Sequence, residues 1–88
     1  MPLQHDPTKA AANLKAHGVS FADAEGVLFD PFAVTVEDPD ASGERRFVSM
    51  GLGSAGEVLV VVYTERDGEY RMISARRPTR KERKSYEG

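Results

Sequence analysis

The sequence predicts an α+β domain: two N-terminal helices, a four-stranded antiparallel meander and one C-terminal helix. Three observations carry this. Asp6-Pro7 and Gly18 bracket a stretch of helical spacing, as an N-cap followed by proline and a glycine stop do. From Phe32 onward the apolar period becomes two, interrupted at short intervals by turn formers. Thr79 and Glu82 then form a Thr-x-x-Glu capping box ahead of a charged tail.

Between Asp6 and Gly18, residues Ala10, Leu14 and His17 fall on one stripe, with Lys9 and Asn13 beside it. Ser20 caps a second helix, whose apolar face is Phe21, Ala24, Val27 and Leu28; Asp30-Pro31 ends it, because proline pushes the preceding residue out of the helical region. Phe32, Val34 and Val36 alternate with Ala33, Thr35 and Glu37, the pattern of a strand with one buried face. Residues 38–43 are a loop, Arg45 to Leu52 a second strand, Gly53 to Gly56 a hairpin turn and Glu57 to Thr64 a third strand. That third strand is apolar at nearly every position, which places it centrally with both faces covered. Arg66-Asp67-Gly68 is a hairpin turn, Glu69 to Arg76 the fourth strand, and Arg80 to Glu87 the last helix. Short connections between consecutive strands favour the antiparallel meander.

Eighty-eight residues make one domain, small for burying a core, and with no cysteine its stability comes from packing or from a partner. The opening residues do not read as a secretory leader, and Val58 to Tyr63, the longest apolar run, is far too short to span a membrane. A cytoplasmic protein is expected. Charge is distributed unevenly: residues 1–44 carry two lysines against eight carboxylates, residues 45–88 ten lysines and arginines against six carboxylates. Such a dipolar molecule steers anionic partners to its C-terminal half without being globally basic.

Arg76 and Arg77 stand where the last strand finishes, and Arg80 and Lys81 open the helix behind them. Rigidly held guanidinium groups bind phosphate oxygens bidentately, which marks a nucleic-acid site; a solvated charged face or a docking surface for a protein is the alternative. His17 offers either a general acid or base near neutral pH or a C-terminal helix cap. Glu65 and Arg66 follow the third strand and Arg46 lies in the second. A carboxylate beside arginines suffices for metal-free RNA cleavage, one group taking the 2′-hydroxyl proton while guanidiniums stabilise the phosphate; a polar turn is the plain alternative. Ser74 and Tyr63 offer hydroxyls to a phosphate, and Tyr70 and Tyr86 are the aromatics near the basic end. Two histidines without a spaced carboxylate pair make no metal site, and Gly51-Leu52-Gly53 lacks the lysine and helix of a phosphate loop. No cofactor is expected. The N-terminal helices suffice for one sheet face and the last helix is too polar to seal the other, so apolar surface is expected to remain for a partner.

The motifs Asn13-Leu14-x-x-His17-Gly18-Val19 and Ile73-Ser74-Ala75-Arg76, with Phe47-Val48-Ser49-Met50-Gly51, Leu59 to Arg66 and Thr79 to Glu87 in the same order, resemble the BrnT family of bacterial toxins. The chain departs from it at the start, where His5 precedes Asp6 in place of the family's tryptophan, which bears on how the N-terminal segment packs. With no ligand cluster in the sequence and arginines to supply positive charge, cleavage is expected to need no metal. The resemblance implies a RelE-like fold and an endoribonuclease, the toxin of a type II toxin–antitoxin pair that inhibits translation and growth. It implies an RNA substrate and a neighbouring DNA-binding, BrnA-like antitoxin, through which alone DNA is contacted. On that reading Arg76, Glu65 and His17 are the catalytic candidates, and Arg46, Arg66, Ser74, Arg77, Arg80 and Lys81 bind RNA. A non-catalytic interaction protein, a degenerate toxin or a co-repressor, is the alternative.

Overall fold

Among the described residues five strands form one sheet, in the order Leu3–Gln4, Glu69–Arg76, Val58–Arg66, Arg45–Leu52 and Val34–Glu37. The structure, a computed structural model, describes residues 3–4, 6–38 and 45–87. In chain order the elements are β1 (Leu3–Gln4), α1 (Pro7–His17), α2 (Phe21–Phe29), β2 (Val34–Glu37), β3 (Arg45–Leu52), β4 (Val58–Arg66), β5 (Glu69–Arg76) and α3 (Arg80–Glu87). The four-stranded antiparallel meander expected from the sequence is β2 to β5. To it β1 is added, pairing parallel with β5 at Tyr70 and Arg71, an edge that two residues are too short to announce by periodicity. His5 and most of the expected loop, residues 39–43, lie outside the described residues.

Local signals act where the sequence places them. Asp6 accepts from the Thr8 amide, and Gly18 closes α1 at φ 69°, its N–H donating to the Leu14 carbonyl. The Asp23 amide donates to Ser20 Oγ at 3.1 Å. At the β4–β5 turn, Asp67 and Gly68 both take positive φ, 53° and 82°, as a two-residue turn matched to strand twist requires. The capping box closes in both directions: the Thr79 amide donates to Glu82 Oε1 at 2.8 Å, and the Glu82 amide to Thr79 Oγ1 at 3.1 Å.

The core lies between the sheet and the two N-terminal helices. Val19, Phe21, Ala24 and Val27 meet Leu59, Val61, Tyr63, Met72 and Ala75 there. On the same face a hydroxyl chain, Thr35 to Ser49 at 2.7 Å and Ser49 to Tyr63 at 3.0 Å, ties β2 and β3 to β4. The central strand is β4, buried from Val58 to Val61 on both sides.

Two expectations are corrected. Phe32, Val34 and Val36 are not buried: they are 79%, 53% and 59% exposed. Period two states which residues share a face, not which face is covered; here Thr35 faces the helices and the valines face away. In α1 the expected stripe of Ala10, Leu14 and His17 does not pack as a unit, since Leu14 and His17 are exposed while Asn13 is buried. Asn13 faces inward because its amide satisfies backbone groups that an apolar side chain would leave unpaired.

Candidate nucleic-acid interface

The face turned away from α1 and α2 carries most of the basic residues of the sheet. In β4, Leu59, Val61 and Tyr63 enter the core, so Val60, Val62, Thr64 and Arg66 point the other way. Their cross-strand partners follow: Arg46 pairs with Thr64, Arg71 with Thr64, Ser74 with Val62 and Arg76 with Val60. This outer face therefore presents Arg46, Arg66, Arg71, Ser74 and Arg76.

A β-bulge sets the direction of the last two. Val62 pairs with Ser74 and Tyr63 with Met72, leaving Ile73 as the extra residue. Met72 and Ala75 are both fully buried, an odd spacing that strict alternation forbids. The extra residue shifts the parity after Met72, so Ser74 and Arg76 emerge on the outer face instead of entering the core.

The backbone at Arg76 is held from two sides. Arg76 pairs with Val60 on β4. One residue earlier, Asn13 of α1 takes the Ala75 N–H at 3.0 Å and donates to the Ala75 carbonyl at 2.8 Å, with a second donation to the Val19 carbonyl at 3.0 Å. Asn13 thus stands in for a neighbouring strand where β1 does not reach. One residue later, Arg77 donates to the His17 carbonyl at 3.1 Å, closing the C-terminal end of α1.

The Arg76 guanidinium is itself oriented. Nη1 and Nη2 donate to the two oxygens of Glu82 at 2.8 and 3.0 Å, and Nη1 also donates to the Arg77 carbonyl at 3.3 Å. Of five N–H donors three are used; Nε–H and the second Nη2–H, on one edge of the plane, have no partner among the described residues. That edge is a second bidentate fork on the outer face. Arg76 holds the Glu82 carboxyl down at about 2, helped by the Thr79 amide, so Glu82 is an orienting anion and a poor proton acceptor.

Helix α3 crosses this face. Its first turn is tied to β5 by Arg76–Glu82, and at its far end Tyr86 donates to Asp30 Oδ2 at 2.5 Å, at the corner between α2 and β2. Arg80 and Lys81 are exposed in its first turn, against the preference of a helix N-terminus for negative charge. Beyond α3 the face stays open, with Val34 and Val36 exposed beside Arg46.

Two of the three catalytic candidates lie elsewhere. Glu65 is on the helix-covered face and five positions along β4 from the partner of Arg76, roughly 16 Å at about 3.3 Å per residue. Its contacts are Arg45 at 3.4 Å and the Tyr70 hydroxyl, whose pKa it raises by accepting its hydrogen bond. The arginine beside Glu65 is thus Arg45, which also pairs with Glu37 at 3.2 Å and lies over the Phe47 ring; sequence reading missed it and favoured Arg46 and Arg66. His17 is exposed at the end of α1, behind Arg77. Asn13 was also missed as a site residue. Its signal was a lone amide among alanines in a helix next to the strand that carries Arg76.

No protein of curated function matches the chain in sequence. Among solved structures it is similar to the crystal structure of the Brucella abortus ribonuclease toxin BrnT, with a TM-score of 0.66 and 22% identity over 91% of this chain and 99% of that one. Residues 5–82 match the family described as ribonuclease toxin, BrnT, of type II toxin-antitoxin system, and with that much of the chain covered it belongs to the BrnT family of ribonuclease toxins.

Proposed function

We propose that the chain is a metal-independent, RelE-like endoribonuclease that cleaves RNA on the outer face of its sheet, inhibiting translation and growth in the cytoplasm. The observation that carries this is the unpartnered Nε/Nη2 edge of Arg76, aimed at the outer face by the bulge at Ile73 and held end-on by Glu82. A phosphate seated on that fork lies on the same face as the Ser74 hydroxyl, with Arg46 and Arg66 along the sheet and Arg77, Arg80 and Lys81 at the corner. The RNA 2′-hydroxyl attacks the adjacent phosphorus, its proton passing to water; the bond from phosphorus to the 5′-oxygen breaks, that oxygen takes a proton from water and leaves as a hydroxyl, and a 2′,3′-cyclic phosphate remains. Arg76 stabilises the charge that builds on the non-bridging oxygens. Glu65 and His17 stand off this face and take no step in the scheme.

Among the described residues no three His, Cys, Asp or Glu side chains converge as metal ligands, and the guanidiniums supply positive charge of the kind a metal provides elsewhere. No helix among the described residues is long and apolar enough to cross a membrane. A toxin of a type II pair has an antitoxin partner. We take it to be a BrnA-like, DNA-binding protein that covers the open apolar face and neutralises the basic corner, with DNA reached only through it.

The non-catalytic reading draws on one observation, that the carboxylate paired with Arg76 among the described residues, Glu82, is held down at about 2. Induction of the chain alone in a bacterium decides between them. Growth arrest relieved by the neighbouring antitoxin gene supports the ribonuclease; unaffected growth with intact antitoxin binding supports the interaction protein.

A further inference from the structure

We infer that Arg83, with Arg77, forms a second phosphate subsite on the far flank of α3, where the RNA strand is gripped away from the reacting phosphate; this rests on the ribonuclease reading above. A cavity of about 180 Å³ lies there, lined by Glu57, Val58, Arg77, Pro78 and Arg83. Its lining sets two guanidiniums, one from α3 and one from the segment before it, against one carboxylate, with Val58 and Pro78 as the apolar members. Arg77 is fixed by its bond to the His17 carbonyl at 3.1 Å, and its pairing with Glu57 is loose, at 3.8 Å. The Arg83 side chain has no hydrogen-bond or ion-pair partner among the described residues, although its backbone N–H donates to the Thr79 carbonyl at 2.9 Å.

Two positive groups facing one recess repel each other and lower the cost of admitting an anion. Arg80 and Lys81, in the adjoining turn, add to the same potential. A tetrahedral oxyanion is the ligand class that two guanidinium forks match, and the apolar lining residues Val58 and Pro78 take the ribose side of a nucleotide. Glu57 is the competing anion: phosphate entering the recess replaces it on Arg77. The recess is below the 300–1,000 Å³ usual for larger ligands, which fits one phosphate and its sugar.

The test uses an RNA oligonucleotide with 2′-O-methyl groups throughout, which binds without being cleaved, so it does not depend on activity. Arg83→Gln is expected to weaken binding about tenfold and to lower the salt slope of log affinity by about one. Glu57→Gln is expected to tighten binding, an opposite sign that general loss of folding does not produce. Affinity unchanged in both variants overturns the subsite even where the wild-type protein cleaves RNA. Inorganic phosphate that shifts the Arg83 Nε resonance while Arg83→Gln binds the oligonucleotide normally also overturns it, since the recess then serves free phosphate only.

Discussion

Asn13 and Ala75 are joined by two hydrogen bonds, the side-chain amide of one closing on both backbone groups of the other at 3.0 and 2.8 Å. Asn13 is 5% exposed and is the buried residue of its helix. Helix α1 therefore docks on β5 through a polar contact, one residue from Arg76.

Replacing Asn13 by alanine strands the Ala75 N–H and carbonyl and the Val19 carbonyl in a buried setting. The expected loss is about 3 kcal/mol of unfolding free energy, read by urea denaturation. Asn13→Asp removes the donors alone and is expected to cost as much or more, since it also buries a charge. A change under about 0.5 kcal/mol in both would show that the contact contributes nothing to the fold.

The Arg76–Glu82 pair gives a pH signature. The folded carboxyl is held at about 2 against an ordinary 4.5, so its stabilisation is complete above about pH 4.5 and disappears as pH falls towards 2. With both side chains partly solvated, the pair contributes about 1 kcal/mol. Glu82→Gln should remove that portion of the acid dependence between pH 4.5 and 2, measured as the difference in denaturation midpoint from wild type. An identical acid profile in the two proteins would count against the pair.

Much of this was legible in the sequence, and what was not has identifiable causes. Asp6, Gly18, Ser20, Thr79 and Glu82 act locally, so their caps were readable from spacing. The Ile73 bulge is a pairing property of two strands, invisible in either one alone. It decides that Ser74 and Arg76 face outward, and with the parity of β4 it parts Arg76 from Glu65, two residues that the family resemblance had grouped. The outward turn of Val34 and Val36 was hidden for a similar reason, because alternation carries no label for the covered face.

Cleavage is expected to survive a chelator. The products should carry a 2′,3′-cyclic phosphate and a 5′-hydroxyl, identified by mass spectrometry of a defined RNA. Activity abolished by the chelator and restored by magnesium, or a 3′-hydroxyl product, would replace this scheme with attack by water.

The antitoxin is expected to bury Val34 and Val36 and to contact the basic corner. Alanine at Arg77, Arg80 and Lys81 together should weaken its binding, and a hundredfold excess of antitoxin over its Kd should stabilise the wild-type chain by roughly 2.7 kcal/mol. Unchanged affinity in the triple variant places the interface elsewhere.

The most direct test is the rate of RNA cleavage by Arg76→Ala beside wild type, with circular dichroism showing that the variant is folded. Loss of the guanidinium should lower the rate a hundredfold or more, about 3 kcal/mol of transition-state stabilisation. Arg76→Lys should recover little of it, because an ammonium has no second fork to offer once Glu82 is paired. A folded Arg76→Ala protein that cleaves RNA at the wild-type rate would contradict the assignment of the reaction to this face.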